Sequence, residues 1–181
     1  MMRQQAIGIT FIIIGLVIAG GLAALPRYQD KQNINQPAPE IKASTWLNSQ
    51  PLSLQTLKGK VVMVEFWTYG CYNCVNVQPY LKDWYRKYKQ AGFELVAVHS
   101  PEFSHERDIQ NVQNYVARNN IVYPVVIDND FKIWRSYANR YWPAMYLIDK
   151  DGRIRYRHFG EGAYAQTEQM IKALLAEPSA S

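Results

Sequence analysis

Three regimes of hydrophobic and polar patterning succeed one another along the chain. Residues 6–25 run for twenty positions without a charge, and Thr10 is their one clearly polar side chain. As a helix such a run extends about 30 Å, the thickness of a bilayer core. Residues 27–38 are polar and without period, and read as a short tether. Beyond them the pattern is that of a folded domain. Residues 41–57 alternate weakly around Ser49-Gln50-Pro51, which predicts a β-hairpin with Leu52 and Leu54 on one face. Residues 61–67, VVMVEFW, are too short and β-branched for a helix, and their near-continuous apolar character suits a strand buried on both faces of a parallel sheet. Glu65 is the one charge inside that strand.

After Gly70, the residues Val77, Leu81, Trp84, Tyr85 and Tyr88 recur at helical spacing, and Ala91-Gly92 ends the pattern. Residues 93–98 form a second buried strand, and Ile109, Val112 and Val116 mark a helix that closes at Asn119-Asn120. This β-α-β-α order implies parallel strands with right-handed crossovers. Residues 123–128 are a further apolar run, after which Asp128-Asn129-Asp130 turns and caps a short helix carrying Phe131, Trp134 and Tyr137. Lys150-Asp151-Gly152 is a hairpin turn, so residues 144–149 and 153–159 should pair antiparallel. By alternation Ile154, Tyr156 and His158 share a face, which reads His158 as a core-facing histidine, with Arg153, Arg155 and Arg157 on the solvated face. Met170, Ile171, Leu174 and Leu175 line a last helix before Pro178 and a small-residue tail. The expected organisation is an anchor over residues 1–26, a tether over 27–38, one α/β domain over 39–177 and a tail over 178–181.

Composition agrees with one domain and an appendage: 181 residues, 48% of them hydrophobic. The net charge of +5 is scattered, with no basic stripe or base-reading element, which excludes a nucleic-acid role. For residues 6–25 the competing reading is a cleaved signal peptide, with Ala23 and Ala24 near its end. A signal h-region is usually about 7 to 15 residues, and the longer run favours an uncleaved membrane anchor. Arg3 on one side and Arg27 and Lys31 on the other leave its orientation unset.

The chemistry sits where the central strand ends. Cys71 and Cys74 are the only cysteines, and a C-x-x-C placed straight after a strand is a redox motif. At a helix start, unpaired N–H groups and the positive dipole end face Cys71 and lower its pKa from about 8.5 towards roughly 3.5 to 7.5. Cys71, the outer sulfur, is then the nucleophile, and Cys74, one turn in, attacks the mixed disulfide to release the partner. A structural disulfide would close almost no loop, and no second cysteine pair completes a zinc site. Buried Glu65 should have a raised pKa and accept the Cys74 proton; the alternative is a structural ion pair with Lys58 or Lys60. His99, Ser100 and Glu102 follow a strand end and so reach the same sheet edge. His99 reads as a loop histidine capping a turn, with shaping of a partner groove as the alternative. Tyr69 and Trp142 read either as an apolar rim of the site or as core aromatics.

These residues resemble the thioredoxin superfamily. Phe66-Trp67, Glu65 six residues before Cys71, and Pro79 eight residues after it stand where that family has its F-W, its buried carboxylate and its helix-kinking proline. More narrowly, FWTYGCYNC, VHSPEF, DNDFKIW, NRYWPAMYLID and HFGEG, in that order, look like the thioredoxin-like domain of DipZ and DsbD-type thiol transporters and the TlpA/redoxin group. The resemblance implies a thioredoxin fold and a cis Trp142-Pro143 bond facing the cysteines. Pro143 would there offer a backbone edge to an incoming peptide and deny a metal a ligand. It also implies a membrane-anchored monomer whose domain lies on the periplasmic side. Its partners would be a protein disulfide and a membrane or soluble thiol donor, and it would act as a reductant that feeds cytochrome c maturation. No cofactor or metal is expected. Two rival functions remain: a thiol peroxidase of the peroxiredoxin type, whose pattern shares Thr68 but has proline where this chain has Val64, and a Sco-like copper carrier using Cys71, Cys74 and His99.

Overall fold

The computed structural model describes residues 34–178. The expected anchor, most of the tether and nearly all of the tail lie outside them, and among the described residues no helix is long and apolar enough to cross a membrane. Six strands form one sheet: β1 (Trp46–Leu47), β2 (Val61–Trp67), β3 (Phe93–His99), β4 (Val125–Ile127), β5 (Ala144–Ile148) and β6 (Ile154–Phe159), in the spatial order β1-β4-β3-β2-β5-β6. β2, β3 and β4 run parallel, as their helical crossovers require, and β5 and β6 are antiparallel additions. Four helices cover the sheet: α1 (Tyr72–Tyr88), α2 (Ile109–Arg118), α3 (Lys132–Ser136) and α4 (Tyr164–Ala176).

The alternation along β2 decides which helix lies over which residue. Val61, Met63 and Trp67 point into one core with Cys74, Val77, Leu81 and Trp84 of α1, Val112 of α2 and Ile171 of α4. Val62, Val64 and Phe66 point into a second core with Ile133 of α3. Glu65 therefore belongs to the α1 face. α1 carries Pro79 in its interior and ends through a 3₁₀ turn at Gly92, whose φ of 95° suits the left-handed cap that glycine adopts without strain. Asp128 starts α3, its carboxylate accepting from the N–H groups of Ile133 (3.0 Å) and Trp134 (2.8 Å).

Two expectations are corrected. The hairpin over residues 41–57 does not form. Trp46 and Leu47 pair instead with Val126 and Val125 of β4. Ser53 and Thr56 close a local turn on each other, Thr56 Oγ1 accepting from the Ser53 N–H at 3.0 Å, while the Leu54 N–H goes to Glu40 Oε1 at 2.7 Å. Side chains that satisfy the backbone locally leave no ladder to build. On β6, the register shifts between Leu147 and Ile148, so that Ile148 faces Ile154 and Leu147 faces Tyr156. Arg155 is the extra residue, and the bulge places Ile154 and Phe159 on the α3 face but Tyr156 and His158 on the other. His158 is a half-buried edge residue, its Nε2 3.4 Å from the Glu161 carbonyl, and is not in the core. Arg155, out of the alternation, pairs with Asp149 (3.1 Å) and Glu177 (2.8 Å).

Candidate active site

Cys71 is the N-cap of α1. Its backbone is extended (φ −81°, ψ 113°), and its Sγ accepts the Cys74 N–H at 3.3 Å. Both sulfurs are free thiols, Cys71 half-exposed and Cys74 1% exposed. The hydrogen bond from the Cys74 thiol, reinforced by the Cys74 and Asn73 N–H groups, overcomes partial burial and the nearby Glu102 carboxylate, and lowers the Cys71 pKa to about 7. Cys74 goes the other way: burial, the hydrogen bond it gives to Cys71 and the carboxylate of Glu65 all push its pKa far up. One backbone turn thus makes an accessible thiol acidic and its neighbour a firmly held proton donor.

Glu65 lies between Ala97 of β3 and Met145 of β5, 1% exposed, with no hydrogen-bond partner for Oε1. Burial first, then the charge of Cys71, raises its pKa well above the usual carboxylate range. The alternative ion pair is absent: Lys60 pairs with Glu94 at 3.8 Å, and among the described residues no lysine or arginine pairs with Glu65.

The Trp142-Pro143 bond is cis, as the resemblance implied. Phe66 pairs with Ala144, which puts Pro143 at the sheet end from which the chain leaves for Cys71. The Pro143 carbonyl accepts from the Gly160 N–H at 2.8 Å, so the open backbone edge falls on Trp142. The Trp142 indole donates to the Ser100 carbonyl (3.0 Å) and packs on Trp134 at 4.3 Å. Tyr69 stacks on His99 and Tyr115 and donates its hydroxyl to the His105 carbonyl (3.0 Å). Tyr69, Trp142 and Cys71 are all half-buried against the α1-side core, so both aromatics lie at the edge of that core.

His99 is not a loop residue. It ends β3, fully buried, its Nε2 3.3 Å from Thr68 Oγ1 and its Nδ1 without a partner. Burial lowers its pKa to about 4, against the pull of Glu106, and keeps it neutral. It is not gathered with the cysteines: among the described residues no group of three or more His, Cys, Asp or Glu is placed to hold a metal ion.

Sequence reading missed Glu106. Fully buried, it accepts the N–H groups of Gly70 (2.9 Å), Glu102 (2.6 Å) and Phe103 (2.8 Å) and the Thr68 hydroxyl. Burial raises its pKa, but these four donors outweigh it and hold the carboxyl below the ordinary range. A Cβ on Gly70 would lie 2.5 Å from Glu106 Oε1, so glycine is what admits the carboxylate next to the redox loop. The available signal was a Glu three residues after Phe103, the spacing of a capping box, without the usual Ser or Thr.

The family model described as AhpC/TSA matches residues 34–157, well over half of the chain. The chain belongs to the AhpC/TSA family. It is 44% identical over 142 residues to Protein DipZ of Mycobacterium bovis, a match that covers 76% of this chain and 20% of DipZ, so it spans about a fifth of that relative's length. It is 34% identical over 170 residues to the thiol-disulfide oxidoreductase ResA of Bacillus thuringiensis, covering 91% of this chain and 95% of ResA. Among solved structures, a thioredoxin-like superfamily protein superimposes with a TM-score of 0.74 at 25% identity, over 80% of this chain and 99% of that one. A thiol-disulfide isomerase from Corynebacterium glutamicum does so with a TM-score of 0.67 at 26% identity, over 78% and 98%. This member of the family therefore has the thioredoxin-like fold, and ResA, which it matches over nearly all of its length, is named a thiol-disulfide oxidoreductase. Within the family, its Thr68 hydroxyl is engaged by Glu106 and His99, and its Val64, where the peroxiredoxin pattern has proline, is buried against the α3-side core.

Proposed function

We propose that the chain reduces protein disulfides with Cys71 as nucleophile, Cys74 as resolving thiol and Glu65 as proton acceptor. The Cys71 thiolate attacks a substrate disulfide; a Cys71–substrate disulfide forms as the substrate S–S bond breaks, and one substrate sulfur leaves as thiolate. Cys74 then passes its proton to Glu65 and attacks Cys71. The Cys71–Cys74 disulfide forms, the second substrate sulfur leaves, and two electrons have moved to the substrate. A separate thiol donor restores the pair. The observation that carries this reading is the pair of free thiols joined at one N-cap, Cys71 Sγ accepting the Cys74 N–H at 3.3 Å, with a buried carboxylate on the same face whose Oε1 has no hydrogen-bond partner.

Pro143, Trp142 and Tyr69 form the wall along which an extended peptide lies, pairing with the backbone edge at Trp142. The protein works as a monomer on the periplasmic side of the cytoplasmic membrane, held by residues 6–25, and its substrates are disulfides of the kind that cytochrome c maturation needs opened. The apolar run and the family resemblance given by the sequence motifs support this placement. The peroxidase reading has less support, because the Thr68 hydroxyl is turned to Glu106 and His99.

Trapping tests the proposal. With a small disulfide-bonded protein such as insulin, the full chain carrying Cys74→Ser accumulates a dithiothreitol-sensitive covalent adduct, and Cys71→Ser gives none. No adduct with Cys74→Ser, or equal adducts with both variants, overturns it.

A further inference from the structure

The segment between β3 and α2 is clamped to both walls of the site. At one end the Ser100 carbonyl accepts the Trp142 indole N–H at 3.0 Å. At the other, Glu106 grips the N–H groups of Glu102 and Phe103 with one oxygen and that of Gly70, the residue before Cys71, with the other. The Phe103 ring comes within 3.7 Å of the place where a Gly70 side chain would begin, yet Phe103 remains 51% exposed. It stacks on His105 at 5.8 Å, and Tyr72, the residue after Cys71, is 77% exposed. A segment held this firmly, with an aromatic side chain left in solvent beside the reactive sulfur, has the form of a recognition element.

Of the exposed charges on that segment, Glu102, Arg107 and Asp108, Glu102 is the one that acts on Cys71. It is exposed, and among the described residues no lysine or arginine forms an ion pair with it. Its carboxylate is near enough to Cys71 to oppose ionisation of the thiol, and no lysine or arginine figures among the principal influences on that sulfur. The chain carries a net charge of +5, yet the carboxylate that acts on Cys71 has no ion-pair partner among the described residues. A cation brought in by the substrate answers both facts: it pairs with Glu102 and offsets the repulsion that Glu102 exerts on the attacking thiolate.

We propose that Glu102, presented by the Glu106-anchored segment and flanked by Phe103, selects substrates with a lysine or arginine next to the disulfide. The proposal rests on Cys71 being the attacking sulfur and names the class of substrate that it meets. Glu102 acts on the approach of the substrate and on no bond that breaks or forms.

The probes are three synthetic peptides, each with one internal disulfide and differing only in whether Lys, Ser or Glu flanks the first cysteine. The readout is peptide thiol released by the reduced full chain in detergent at pH 7. Exposed charge pairs change such rates a few-fold, so the Lys peptide should react roughly fivefold faster than the Glu peptide, with Ser between them. In Glu102→Gln the three rates converge, and in Glu102→Lys their order inverts. At about 1 M salt, where the screening length is about 3 Å, the wild-type spread collapses. Equal rates for all three peptides with the wild type, or an unchanged ranking in Glu102→Lys, overturn the proposal while leaving the exchange chemistry intact. No thiol release from any peptide would instead overturn the reading of Cys71 on which it depends.

Discussion

In the mechanism proposed above, Glu65 meets a different electrostatic field at each step. In the reduced protein, burial and the Cys71 charge both raise its pKa. Once Cys71 is bonded to a substrate sulfur that charge is gone, its repulsion vanishes, and Glu65 becomes readier to ionise just as Cys74 must lose a proton. Glu65→Gln should therefore slow substrate release from the mixed disulfide by about 100-fold at pH 7, the lower end for general base catalysis, with a rate that climbs steadily towards pH 9. An unchanged release rate between pH 6 and 9 would show that Cys74 uses another base. The same variant carries a stability signature. A folded-state pKa above the unfolded value means that the folded protein binds more protons, so wild-type stability falls as pH rises from about 4.3 through the raised value. Thermal unfolding should show Glu65→Gln more stable than wild type at pH 8, with the gap closing below pH 4.

Among the elements, the junction of β2 with α1 concentrates the local control. Thr68, Gly70 and Cys71 follow the strand within four residues, and all but Cys71 bond to Glu106, 36 residues from Gly70 in sequence. Gly70→Ala places a methyl group 2.5 Å from Glu106 Oε1, and that oxygen cannot swing away without dropping the Gly70 N–H while its twin holds Glu102 and Phe103. Overpacking of this kind costs about 1 to 3 kcal/mol, which a urea titration should read as a lowered midpoint with unchanged slope. A midpoint equal to wild type would show that the latch is slack. The strand, the cysteines and Glu65 were legible because an apolar run with one carboxylate and a C-x-x-C are local patterns. Glu106 was not, because its partners are backbone N–H groups that carry no sequence mark. The hairpin expected over residues 41–57 failed for a related reason: Ser53 and Thr56 hydrogen-bond each other and the turn, an outcome that weak alternation does not reveal. The bulge at Arg155 put Ile154 on the opposite face from Tyr156 and His158, which strict alternation cannot foresee.

For the whole molecule, the order of elements was enough to infer parallel strands and a site at their carboxyl ends, since right-handed crossovers leave few arrangements. The expectation of a cis Trp142-Pro143 bond came from the likeness of NRYWPAMYLID to known proteins, because spacing alone says nothing about a cis bond. The burial of His99 required the sheet itself, which places the last residue of β3 beside Trp67 and under Tyr69. What the assembled fold achieves is to bring the start of α1, a buried second thiol and a buried carboxylate together, and the acidity of Cys71 reports the first two. The pH dependence of iodoacetamide alkylation of Cys71 in the reduced full chain tests that most directly. A midpoint at about pH 7, rising towards the value of an ordinary thiol when Cys74 is replaced by serine, is the result expected here. A midpoint at about 8.5 or above in the wild type would mean that Cys71 ionises like any free cysteine, and would contradict the account.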